Sequence, residues 1–232
     1  MSERAAGDGL RTTARTDAVR VQGWCRAMLV AAVSMITAAC GSSLLDSDLP
    51  ASTRYIIKPP QGPATATASL ASQADLSIGR PDVAPGLDTE RIAVVRGHEL
   101  DYYRGALWGG SVTETVQTFL VAAFQDQKLF RSVASEQARI TADYMLDIEV
   151  RDFQAEYASA TEAPNVRVTL VCRLIRVRDR GMVDTIHTTA SRPATENRMN
   201  AVAVAFEAAM QQVALELSDK TAQLIAGDRE KT

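Results

Sequence analysis

The chain has 232 residues, 25 of them basic and 28 acidic, for a formal net charge of −3 at pH 7. A field this weak and of this sign excludes a nucleic-acid binder, which needs a basic face for phosphate contacts. Two histidines and three cysteines leave little material for a metal centre or a disulfide scaffold.

Residues 1–22 are polar, mixed in charge and long for the opening of an export signal; a start near Val19 or Val21 would give a common length. Arg26 is then followed by thirteen uncharged, mostly apolar residues ending in Ala38 and Ala39, and by Cys40. A bilayer-spanning helix needs roughly 20 apolar residues, so this run is too short to span. It fits the charged, apolar and small-residue regions of an export signal. The cysteine after the alanines makes it resemble a bacterial lipoprotein signal, with Thr37 standing where an aliphatic residue is usual. The resemblance implies cleavage between Ala39 and Cys40 and acylation of Cys40, palmitate included. An ordinary secretory signal ending near Ala39 is the other reading.

Removal of residues 1–39 leaves 193 residues with 25 acidic and 20 basic groups, enough for one domain with a sizeable core. Cys25 leaves with the signal and lipid caps Cys40, so Cys172 stands alone and no intramolecular disulfide is expected. Residues 40–53 read as a lipidated tether. Residues 54–58 predict a strand stopped by Pro59 and Pro60, and residues 61–74, rich in Ala, Thr and Ser, a loop or linker. Residues 75–79 alternate as a second strand, and Pro81, Pro85 and Gly86 make a turn. Residues 91–96, with a continuous apolar centre, predict a strand at an inner sheet position. Residues 101–108 are aromatic and amphipathic and end in Gly109 and Gly110. Ser111 with Glu114 is a capping box, and Val116, Phe119, Leu120, Ala123 and Phe124 recur on one face of the helix that follows. Leu129, Phe130 and Val133 close this unit.

From Tyr144 the period changes to two. Tyr144, Leu146, Ile148 and Val150 alternate with polar neighbours in a half-exposed strand that can extend to Tyr157. A turn at residues 159–164 leads into a strand facing Val166, Val168, Leu170, Cys172 and Leu174 to one side. Residues 178–181 turn the chain, and 182–190 return antiparallel, making a meander. After a polar connection at 191–200, Val202, Phe206, Met210, Val213, Leu217, Thr221 and Leu224 recur as the stripe of a long helix through Ile225. Gly227 is its expected stop and residues 228–232 its disordered tail. The expectation is one α+β domain over residues 54–227, a mostly antiparallel sheet with two long amphipathic helices packed on one face.

Catalysis finds no support in these residues. His98 and His187 lie far apart in sequence, with no cluster at ligand spacing, so no metal or cofactor is expected. The chain has no G-x-S-x-G elbow and no phosphate-cradling loop. Asp88 and Arg91 read as a local salt bridge or cap, Asp147 and Glu149 as a solvated strand face, and Cys172 as a buried, inert thiol. Tyr102, Tyr103 and Trp108 have two readings: packing of a loop on the core, or a partner-binding surface built from interface-enriched aromatics.

The order of elements resembles the ABC-type transport auxiliary lipoproteins from about Tyr55 to Ile225. The points of likeness are the lipoprotein signal; Tyr55, Ile56 and Ile57 before proline; and Leu87-Asp88-Thr89-Glu90-Arg91-Ile92. The Tyr102-Tyr103 pair with Trp108, and the final Phe206/Met210/Val213 helix, complete them. The resemblance implies a non-enzymatic component of an MCE-type (mammalian-cell-entry) ABC transport system that moves phospholipid or other hydrophobic molecules between membranes. Its implied partners are an MCE-domain protein with its ABC permease and ATPase, and a membrane held through N-terminal acyl chains. Gly41 stands where aspartate would retain an enterobacterial lipoprotein in the inner membrane, so the expectation is the periplasmic face of the outer membrane. A sheet edge left open by the meander suits a homo-oligomer. The alternative function is an envelope-assembly lipoprotein that binds lipopolysaccharide or assists an outer-membrane β-barrel.

Overall fold

The computed structural model of the chain describes residues 52–60, 62, 73–159 and 161–231, all within the unit Ala51–Thr232. The expected signal, Ala39, Cys40, most of the tether and most of the 61–74 linker lie outside the described residues.

The fold is organised on one long strand. In chain order the elements are β1 (Thr53–Tyr55), β2 (Asp75–Ile78), β3 (Asp82–Val83), β4 (Arg91–Arg96), β5 (Glu99–Trp108), helix α1 (Val112–Gln127) and β6 (Ser132–Ser135). A short 3-10 turn follows (Glu136–Ala138), then β7 (Tyr144–Tyr157), β8 (Asn165–Arg176), β9 (Gly181–Pro193) and helix α2 (Met199–Glu230). Along one edge of β7, β8 runs antiparallel for nearly its full length, from Tyr144↔Arg176 to Glu156↔Asn165. Along the other edge β2, β3 and β4 lie end to end, all parallel to β7: Leu76 opposite Tyr144, Val83 opposite Val150, Arg96 opposite Tyr157. β1 joins β5, and β6 joins β2, also in parallel. The expected α+β class and its two helices are present, but the sheet is mixed. Side-chain alternation records which face a residue takes and not which way its strand runs, so the parallel pairings made across the α1 crossover left no mark in the periodicity.

One sheet face is covered by helices, the other is open. Leu146, Ile148, Val150, Phe153, Val166, Val168, Leu170, Cys172 and Leu174 are buried on the covered face. The intervening residues form ion pairs on the open one: Arg173–Asp147, Arg151–Glu149 and Arg167–Glu156, each 2.8 Å. Helix α2 lies over β8 and β9, and α1 lies beside it against β6. Ser111 and Glu114 form the expected capping box, and Val116, Phe119, Leu120, Ala123 and Phe124 are all buried.

Helix α2 does not stop at Gly227. It continues to Glu230 because the last turn has partners. The Tyr144 hydroxyl donates to Asp228 at 2.8 Å, and the Arg176 guanidinium pairs with the same carboxylate. The residues expected to be a disordered tail are, through Glu230, the end of a packed helix.

Candidate functional site

Residues 101–108 form the second strand of a β-hairpin, and the two halves of that strand have different fates. Between the pairs Ala93↔Tyr102 and Arg91↔Leu107 the register shifts, so Tyr103, Arg104 and Gly105 bulge out of the ladder. Gly105 takes φ +67°, a backbone conformation open to glycine and strained for most other residues, which makes the bulge possible. Tyr102 and Tyr103 remain at the half-buried surface, whereas Trp108 is fully buried.

Trp108 is the centre of the core. Its ring meets Phe206 of α2 edge-on, with centroids 4.9 Å apart, and Phe153 of β7 at 5.6 Å. Of the three aromatics expected as a partner surface, Trp108 is therefore no surface residue: its strand end points between sheet and helix. Packing on the core is the correct reading for this one.

Tyr102 and Tyr103 sit in a small array of aromatics and arginines. Tyr102 donates its hydroxyl proton to the Gly86 carbonyl at 2.7 Å, and the Arg91 guanidinium stacks 3.8 Å from its ring centroid. Tyr157 donates to Asn197 Oδ1 at 2.6 Å, which leaves Tyr103 as the donor in its 2.9 Å contact with Tyr157. Burial, then this hydrogen bond, raise the Tyr103 phenol above its ordinary value, so it stays neutral. Arg96 lies 4.9 Å from the Tyr157 ring. A cleft of about 410 Å³ opens beside them, lined by Val95, Gly97, Glu156, Tyr157 and Asn165, and Leu100 at the hairpin tip is 43% exposed. Sequence spacing had no means of bringing Tyr157 and Arg96 to the two tyrosines, because that neighbourhood depends on the parallel β4–β7 pairing.

The other expected residues fall as follows. Asp88 does not turn to Arg91: its carboxylate accepts from the Thr113 amide and hydroxyl in the first turn of α1. The run from Leu87 to Ile92 is a hub of the fold. Leu87 and Ile92 are buried, and the Glu90 carbonyl accepts from Trp108 N at 2.7 Å while its carboxylate pairs with Arg54. Cys172 is free and buried, and burial pushes its thiol up to about 12. His98, in the β4–β5 turn, and His187, on β9, are both exposed, and no group of His, Cys, Asp or Glu among the described residues is arranged to hold a metal.

Two further surfaces escaped sequence reasoning. After β1 a groove of about 380 Å³ runs between Ile56, Ile57 and Pro59 and the α1 residues Phe119 and Ala122, with Ile56 68% exposed. The chain there is tied down by Lys58, whose amide donates to Glu207 and whose carbonyl accepts from Gln211. At the opposite end of α2 a cleft of about 490 Å³ is lined by Asp143, Tyr144, Arg176, Val177, Arg178 and Arg229. Among the described residues no helix is long and apolar enough to cross a membrane.

Together these features define a mixed-sheet α+β domain whose distinctive surface is aromatic and arginine-lined. The chain belongs to the ABC-type transport auxiliary lipoprotein component family, whose model matches residues 55–218. The crystal structure of protein XCC0632 from Xanthomonas campestris is 31% identical, with a TM-score of 0.67 over 78% of this chain and 99% of that one. A crystal structure of an uncharacterized protein shares the fold at 12% identity, with a TM-score of 0.58 over 73% of this chain and 98% of that one. Comparison with curated proteins gave no match.

Proposed function

We propose that this chain is the lipid-anchored, non-enzymatic auxiliary component of an MCE-type ABC transport system that moves phospholipid or other hydrophobic molecules between the inner and outer membranes. The family match over residues 55–218 carries the reading. The half-buried Tyr102 and Tyr103 and the exposed Leu100 and Arg96 support it, since aromatic and arginine side chains are the types that anchor protein interfaces.

In this reading Cys40 is the acylated first residue of the mature chain, on the periplasmic face of the outer membrane. Each buried methylene contributes about 0.8 kcal/mol, and one chain alone holds only marginally. Several chains on one cysteine make attachment effectively permanent. The β4–β5 hairpin face is the docking surface for the MCE protein or its permease, and Trp108 supports that face from the core side.

The test has two arms. Cys40→Ala is expected to move the protein from the membrane fraction to the soluble fraction. Tyr102→Glu is expected to abolish crosslinks to the transporter while the domain stays folded, with its unfolding midpoint lowered only by the lost Gly86 and Arg91 contacts. A Cys40→Ala protein as firmly membrane-bound as wild type contradicts the anchor, and undiminished crosslinking by Tyr102→Glu contradicts the docking face.

A further inference from the structure

β9 is the longest open edge of the sheet. Among the described residues it pairs only with β8 over thirteen residues, whereas the other outer strands, β1 and β6, have three and four. We propose that two copies of this chain join β9 to β9, antiparallel, about a two-fold axis through Thr188.

The backbone fixes which residues face the open edge. The Lys220 ammonium, on α2, donates to the His187 carbonyl at 3.4 Å. The Asp184 carboxylate accepts from Thr185 N at 2.7 Å, and the Arg192 guanidinium donates to the Ser191 carbonyl at 3.2 Å. Each of these backbone groups is met by a side chain, of α2 or of β9 itself, and not by the β8 backbone. In an antiparallel ladder alternate residues turn both N–H and C=O to the same side. Thr185, His187, Thr189 and Ser191 therefore offer donors and acceptors outward, while Ile186, Thr188 and Ala190 spend theirs on β8.

A two-fold axis at Thr188 matches these groups without remainder. Thr185 exchanges bonds with Ser191 of the second copy, and His187 with Thr189. The two formally charged residues of the strand, Asp184 and Arg192, then fall opposite each other twice. Both are exposed, and among the described residues neither is in an ion pair of its own chain. Moving the axis to His187 or Thr189 puts Asp184 opposite Ala190 or Ala194 and loses the match. Beside the edge a groove of about 330 Å³ between Asp184, Ile186 and His187 and the α2 residues Lys220, Gln223 and Leu224 leaves room for the incoming side chains. Asp184 must leave Thr185 N and Arg192 the Ser191 carbonyl, which frees both side chains for each other across the axis. Lys220 must leave the His187 carbonyl, and its shorter bond to Glu216, at 2.6 Å, holds it on the helix when it does.

The experiment uses the full chain purified in detergent, with the mass of the protein read by sedimentation velocity. Asp184→Arg alone and Arg192→Asp alone each place like charges opposite twice, and each is expected to weaken self-association about tenfold. Mixed one to one, the two variants are complementary at both contacts, and the mixture is expected to associate like wild type. A folding defect in either variant would not be repaired by mixing. The proposal is overturned by a monomeric wild type, by single variants that associate as wild type does, or by a mixture that stays as weak as its components.

Discussion

The Asp88 carboxylate accepts hydrogen bonds from both the amide and the hydroxyl of Thr113, at 3.2 and 2.9 Å, across 25 residues of sequence. It thereby places a negative charge at the N-terminus of α1, where the helix dipole and an orphan N–H both favour it. Asp88→Ala is expected to lower stability by about 1–2 kcal/mol, the ordinary cost of a lost cap, with Asp88→Asn costing less. Urea unfolding measures both, and equal midpoints for wild type and Asp88→Ala would remove Asp88 from this role.

What periodicity could carry, it carried well. The faces of β7 and β8, the buried stripe of α2 and the capping box at Ser111 all follow from spacing, because each reports a local geometry. Strand direction does not, which is why the parallel contacts of β2, β3 and β4 with β7 were absent from the expectation. The proposed docking face was half legible: two adjacent tyrosines and a tryptophan stand out in the sequence. That Gly105 bulges the strand, lifting Tyr103 away while Trp108 turns into the core, depends on a register known only once β4 is paired.

Asp75 gives the fold a pH dependence. Hydrogen bonds from Arg131, first, and from Ser132 hold its carboxyl at about 2, against an ordinary value of 3.8. A group lowered in the folded state contributes stability above its unfolded pKa and loses it as pH falls through the folded one. Stability is therefore expected to drop between about pH 4 and pH 2, and Asp75→Asn to flatten that drop. Parallel curves for the two proteins in urea titrations across this window would contradict the assignment.

Cys172 is expected to be inert in the native protein. With its thiol pushed up to about 12 by burial, the thiolate is scarce at pH 8. Maleimide treatment followed by peptide mass analysis should leave Cys172 unmodified until urea unfolds the domain. Labelling at the native rate of a free thiol would show an open route to this side of β8.

The end of α2 is structural. Tyr144 and Arg176 both bind Asp228, and the Arg176 pairing holds its carboxyl below the usual range. A chain ending at Ala226 loses both contacts, and leaves Tyr144, itself 3% exposed, without that acceptor. The expected loss is about 1–3 kcal/mol in urea unfolding. An unchanged midpoint would return these residues to the status of a tail.

Crosslinking in native membranes tests most directly whether the chain is an anchored adaptor that meets a transporter. Wild-type protein, crosslinked in intact cells, purified through a C-terminal tag and analysed by mass spectrometry, is expected to bring down an MCE-domain protein with its ABC permease and ATPase. Tyr102→Glu, processed alongside, should lose them. Recovery of β-barrel assembly or lipopolysaccharide-handling proteins in their place, with no transporter subunit above background, would contradict the account.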